Sequence, residues 1–154
     1  MNETEKNKFL ALCREHGLKG TSQRLAVYDC VRSSHTHPNV DEVWAHCRKS
    51  VPRITRESVY RILNEFSDLG LLNRIDHIVR ARYDIRTGPH GHYICERCDK
   101  IVDFDLSDEA APHVRAFAGE VRQVELRITG VCDECCGKTS KSNNKTTTTK
   151  GKKA

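Results

Sequence analysis

Residues 88–106 carry the densest chemistry of the chain: His90-x-His92, then Cys95-x-x-Cys98, then Asp103. A second pair, Cys132-x-x-Cys135, follows after 33 intervening residues. Zinc takes four soft or borderline ligands in a tetrahedron, and each C-x-x-C knuckle supplies two thiolates. Local disulfides and free core thiols are the competing readings. A redox dithiol of the thioredoxin type would sit near a βαβ pattern, and none is visible. Two such knuckles read as a four-cysteine zinc site.

His90 and His92 need a separate account, because four thiolates leave no vacancy for them. A spacing of two on a strand points both imidazoles to one face. Histidine nitrogens with carboxylate oxygens suit iron, manganese or zinc. Asp84, Asp103 and the distant His37 are the candidates to complete such a site; the alternative is a plain pair of surface histidines.

The elements that must position these groups fall into two halves of opposite charge. The formal charge of +5 is set by a tail, 137–154, with six lysines and no acid. Residues 1–83 hold 14 Lys/Arg against 10 Asp/Glu (+4), and residues 84–136 hold 6 against 11 (−5). A basic first half and an acidic, ligand-rich second half suggest a nucleic-acid-facing domain joined to a metal-holding one. The N-terminus MNETEKNKFL lacks a signal-peptide apolar core, and no run approaches membrane-spanning length. With eight cysteines, this predicts a reducing cytoplasm, thiols serving as metal ligands, and no membrane partner.

In chain order, apolar periodicity predicts a helix over 4–16 capped by Thr4, a second from Thr21 or Ser22 to Ser33, and a loop at His37-Pro38. Asn39 caps a third helix with Val40, Val43, Trp44 and Cys47 at helical spacing. Thr55 caps a fourth, striped by Val59, Ile62, Leu63, Phe66 and Leu69 and stopped by Gly70. Extended runs Leu71–Ile75 and Ile78–Asp84 then form a hairpin. The fold class is α+β: a winged helix-turn-helix domain (1–84), a small α/β dimerisation domain (85–136) and a disordered basic tail (137–154). In the second domain, strands are expected at His92–Ile94, Lys100–Phe104 and around Val124–Ile128, with a helix over about 109–118.

In a winged helix the last helix before the wing enters the major groove. Its polar face here carries Arg56, Ser58, Tyr60, Arg61 and Asn64, set against the plainer reading of a solvated helix face. Arg74, Arg80 and Arg82 on the wing would add backbone contacts.

These motifs resemble those of metalloregulators of the ferric uptake regulator (Fur) family. They are Ser58-Val-Tyr-Arg-Ile-Leu63 with Gly70, His90-x-His92-x-x-Cys95-x-x-Cys98, and Gly130-Val-Cys132-x-x-Cys135. The resemblance implies a homodimer on double-stranded operator DNA, a structural zinc on Cys95, Cys98, Cys132 and Cys135, and a regulatory metal that closes the dimer onto DNA. The chain is most similar to the peroxide-responsive PerR branch. That branch implies Fe(II) or Mn(II) on His37, Asp84, His90, His92 and Asp103, where iron-sensing members usually carry glutamate in place of Asp103. It also implies peroxide-driven oxidation of His37 and His90. Tyr60-Arg61 looks more like the iron-sensing members, so an iron-responsive (Fur) or zinc-responsive (Zur) repressor is the alternative. A zinc-stapled metalloenzyme and a protein-only adaptor are the readings from other classes.

Overall fold

The computed structural model describes residues 2–76, 80–88, 90–106 and 126–139. The chain divides into two compact units, Met1–Gly88 and Pro89–Ala154.

The first unit is four helices and a two-stranded sheet: α1 (Glu3–Glu15), α2 (Ser22–Ser33), α3 (Val40–Cys47), α4 (Arg56–Asp68), β1 (Asn73–Ile75) and β2 (Arg82–Asp84). Side-chain oxygens start every helix. Thr21 accepts from Arg24 N–H and Thr55 from Ser58 N–H, while Asn39 accepts from Asp41 and Glu42 N–H. α1 starts earlier than the Thr4 cap predicts. Asn2 and Glu5 form a reciprocal capping box that satisfies two N-terminal donors together, which a lone Thr4 does not.

The apolar stripe of α4 behaves as its spacing predicts: Val59, Ile62, Leu63 and Phe66 are buried. Phe66 meets Phe9 of α1 edge-on at 6.3 Å and Tyr28 of α2 at 6.2 Å. Arg24 grips Glu65 through two bonds of 2.9 and 3.0 Å, pinning α2 to α4. Trp44 donates its indole N–H to the Ile54 carbonyl at 3.0 Å, fixing the turn between α3 and α4. Cys13, Cys30 and Cys47 are buried among these apolar side chains.

Gly70 ends α4 with φ +70, the left-handed cap that glycine adopts at little cost. The next two N–H groups, of Leu71 and Leu72, both turn back to the Phe66 carbonyl. They are therefore spent on the helix end, and β1 begins only at Asn73, two residues later than the apolar run suggests. In the wing's second run, pairing among the described residues starts at Arg82.

The second unit contains β3 (His90–Cys95), β4 (Ile101–Asp105), β5 (Leu126–Gly130) and α5 (Asp133–Thr139). β3 is the central strand, antiparallel to β4 and parallel to β5. It is longer than the expected His92–Ile94 because its pairing with β4 continues to His90↔Asp105. The helix expected over 109–118, Ile78, Val124 and all of the tail past Thr139 lie outside the described residues.

Candidate metal centres and DNA face

The four cysteines come together from the two ends of the second unit. β3 ends at Cys95, and the knuckle to Cys98 closes through Asp99 (φ +56) with Cys95 N–H donating to the Lys100 carbonyl at 2.9 Å. β5 lies parallel to β3, so both strands end on the same side and deliver Cys132 beside that knuckle. Cys132 N–H points at Cys95 Sγ (3.3 Å). The four Sγ atoms lie within 4.8 Å of one another, and Cys98 and Cys132 are 3.8 Å apart. A zinc–sulfur bond of about 2.3 Å makes the edge of a tetrahedron about 3.8 Å. The donor set fits zinc in chemistry and in size.

The same crowding divides the thiols. The Cys132 N–H holds the Cys95 thiol down to about 6, against its burial. Cys135 is pushed up to about 12, first by the neighbouring Cys98 thiol and then by Cys132. A divalent cation reverses the second effect, since it favours all four as thiolates. Lys100 to Glu134 (2.7 Å) and Arg97 to the Cys135 carbonyl (3.1 Å) close the outside of the cluster. Cys136 is exposed and donates to the Val131 carbonyl at 3.5 Å, outside the set of four.

The histidine and aspartate candidates form one pair in the first unit and a trio in the second. His37 takes the left-handed conformation (φ +50) ahead of Pro38, uncommon for any residue with a Cβ and typical of functional sites. β2 holds it there. Tyr83 N–H donates to the Pro38 carbonyl at 3.1 Å, and Asn39 bridges antiparallel to Arg82. Two residues back on one side and two on along the other, that register sets His37 opposite Asp84. Their side chains are buried, with Nε2 and Oδ2 3.9 Å apart. A strand of three residues thus serves both the wing and the ligand pair.

In the second unit His90 and His92 share a face, as their spacing requires, with their Nε2 atoms 2.9 Å apart. Asp103 sits directly across from His92 in the β3–β4 register, Nε2 to Oδ1 3.5 Å. Two buried imidazoles and an exposed carboxylate beside them suit a borderline divalent ion.

Gly91 lies between the histidines, on the opposite face, where the Phe104 ring covers it; a Cβ there would run into that ring. Gly91→Ala is expected to lower stability by about 1–3 kcal/mol, read from denaturant unfolding. An unchanged midpoint would mean that the ring swings aside without loss.

The expected DNA face lies on α4. Arg56, Tyr60 and Arg61 are exposed, whereas Ser58 and Asn64 are half-buried. Ser58 shares a hydrogen bond with Thr55 (2.8 Å). Asn64 Oδ1 accepts from Tyr83 Oη (3.3 Å) and Arg74 Nη1 (3.2 Å), so it ties the helix to the wing. Arg82 is turned inward, donating to Glu42 (3.1 Å) and to the His37 carbonyl (3.4 Å). It braces the His37-Pro38 loop rather than reaching outward. Sequence reasoning missed that brace, although the Asn39-x-x-Glu42 capping box marks one end of it.

Residues 15–129 match the model of the ferric uptake regulator family, and the chain belongs to that family. Its members are transcriptional regulators, which sets aside the metalloenzyme and adaptor readings. The Staphylococcus epidermidis peroxide-responsive repressor PerR is 35% identical over 137 residues, covering 85% of this chain and 90% of the relative. PerR of Staphylococcus aureus is 34% identical over 139 residues, covering 86% and 93%. Among solved structures, the Campylobacter jejuni peroxide stress regulator matches with a TM-score of 0.66 and 30% identity, covering 82% of this chain and 98% of that one. No helix among the described residues is long and apolar enough to cross a membrane.

Proposed function

We propose that the chain is a metal-dependent transcriptional repressor that binds operator DNA as a homodimer in the cytoplasm and responds to peroxide. Cys95, Cys98, Cys132 and Cys135 hold a structural zinc. His37, Asp84, His90, His92 and Asp103 together hold a regulatory Fe(II) or Mn(II). Arg56, Ser58, Tyr60, Arg61 and Asn64 form the face presented to DNA, with Asn64 acting through the wing.

The observation that carries this reading is Asp103, a carboxylate of aspartate length set directly across from His92. The similarity to two peroxide-responsive repressors supports it. Ligands drawn from both units make the metal a fastener, because it binds best where all five converge. That is a two-state coupling, and the spacing of two recognition helices across half-sites is what it sets. A ferrous ion held by these five residues would supply the one-electron chemistry that activates peroxide. The chain's own part is to place His37 and His90 imidazoles where oxidation lands, and their loss as donors releases the fastener.

The test is DNA binding by the zinc-loaded protein with Fe(II), Mn(II) or Zn(II) added, each before and after hydrogen peroxide. The expected result is that the iron form alone loses DNA after peroxide, with oxygen added at His37 or His90 by mass spectrometry. Tyr60-Arg61 favours the second reading, an iron- or zinc-responsive repressor. Iron-supported binding that survives peroxide, or activation by zinc alone, would establish it instead.

A further inference from the structure

α3 opens with two acids, Asp41 and Glu42, and both meet arginines. Asp41 Oδ1 receives Arg56 Nε at 2.5 Å, and its Oδ2 receives Arg56 Nη2 and Arg80 Nη1, each at 3.4 Å. All three groups stand in water: Arg56 is 57% exposed, Arg80 67% and Asp41 40%. Exposed ion pairs add little to stability, and the Trp44–Ile54 bond and the buried core already hold α3 against α4. The carboxylate does resemble one other thing. It offers a guanidinium two anionic oxygens, as a backbone phosphate does.

We propose that Asp41 is a specificity-determining residue: it engages Arg56 and Arg80 in competition with backbone phosphate, and so suppresses binding to DNA of arbitrary sequence. This rests on the reading of α4 and the wing as the DNA face. Binding to arbitrary DNA comes almost wholly from neutralising phosphates. Asp41 cancels one of the two positive charges and occupies donors of both. A duplex whose bases α4 can read gains contacts beyond phosphate and displaces the carboxylate, whereas an arbitrary duplex has only phosphate to offer. Glu42 does not share this role, because it accepts from the Asn39 N–H at 2.8 Å and from the inward-turned Arg82 at 3.1 Å.

The experiment uses the full-length, zinc-loaded protein with Mn(II). Binding is measured to a duplex that the wild-type protein selects from a random pool and to a scrambled duplex, over a range of salt. Asp41→Asn is expected to tighten the scrambled duplex about two- to fivefold for each protomer engaged, the size an exposed pair supports. The log affinity against log salt should steepen by about 0.9 for each protomer on the duplex, about 1.8 for the dimer, as each neutralises one more phosphate. The ratio of selected to scrambled affinity should narrow.

In an Arg56→Gln/Arg80→Gln background, the same substitution should change neither quantity. If it tightens binding equally there, Asp41 acts as a remote charge and the proposal is overturned. Unchanged or weaker scrambled binding by Asp41→Asn in the otherwise wild-type chain also overturns it. Asp41→Ser repeats the comparison with a residue that suits a helix start, and melting temperature reports folding of each variant. Both of those failures leave the DNA-binding reading standing. A wild-type protein that selects no duplex sinks that reading and this inference together.

Discussion

Cys95→Ser is expected to cost the protein its structural zinc and, with it, the folded second unit. Cys95 is the innermost of the four thiols, buried at the end of the central strand and aimed at by the Cys132 N–H. A serine hydroxyl keeps the shape but supplies no thiolate, and a closed tetrahedral site has no spare ligand. Structural zinc is worth about 10–16 kcal/mol in small domains, as much as a whole domain's net stability of about 5–15 kcal/mol. The second unit has a thin core of its own: its buried apolar residues are Ile94, Ile101, Cys95 and Cys135 among those described. Metal content by chelator-dye titration should fall to background, and the thermal transition of this unit should vanish. Cys136→Ser, which removes the adjacent exposed thiol, should keep both. A Cys95→Ser protein with full zinc content and an unchanged melting curve would refute the four-cysteine assignment.

His37→Ala and His37→Asn should both abolish Mn(II)-dependent DNA binding while leaving zinc content intact. His37 is the ligand candidate that the first unit holds opposite Asp84. Changing even an outer partner of a metal ligand costs about 10–100-fold in affinity, so losing the ligand itself should cost about 100-fold or more. At fixed Mn(II), the loss of an effector coupled by about 1–3 kcal/mol lowers DNA affinity about 5–150-fold. The two variants separate ligation from backbone effects. His37 lies at φ +50, a region that costs an L residue about 1–2 kcal/mol and that asparagine and histidine adopt more readily than alanine. A shared loss of metal response with a lower melting temperature only in His37→Ala is the expected pattern. If His37→Asn still binds DNA in response to Mn(II), the regulatory site does not include His37.

Arg82 shows what lies between those two predictions. Read as a wing residue it is a positive charge for DNA; folded, it spans from Glu42 to the carbonyl of His37. Nothing in its neighbours along the chain marks it for that task. The bond depends on β2 running antiparallel to residues 37–39, a contact between segments 45 residues apart.

Much about this chain was determined by local pattern alone. A C-x-x-C knuckle can offer its two thiols to one ion wherever it sits, so the four candidate zinc ligands were legible from spacing. The α4 stripe and the Asn39, Thr55 and Gly70 signals are set within a few residues, and they hold in the folded chain. So does the shared face of His90 and His92, since strand geometry imposes it.

What pattern did not decide were the pairings and the ends. Leu71 and Leu72 read as strand, but their N–H groups went to Phe66, because a helix end competes for the donors that follow it. Whether Asp103 faces His92, and whether Asp84 faces His37, depended on register between separate segments, which no single segment encodes. Asn64 and Arg82 passed from the solvent to the wing and the ligand loop for the same reason. Local chemistry names the candidate ligands and the candidate DNA face; only the tertiary pairings bring His37 to Asp84 and His92 to Asp103, and set Asp41 against Arg56.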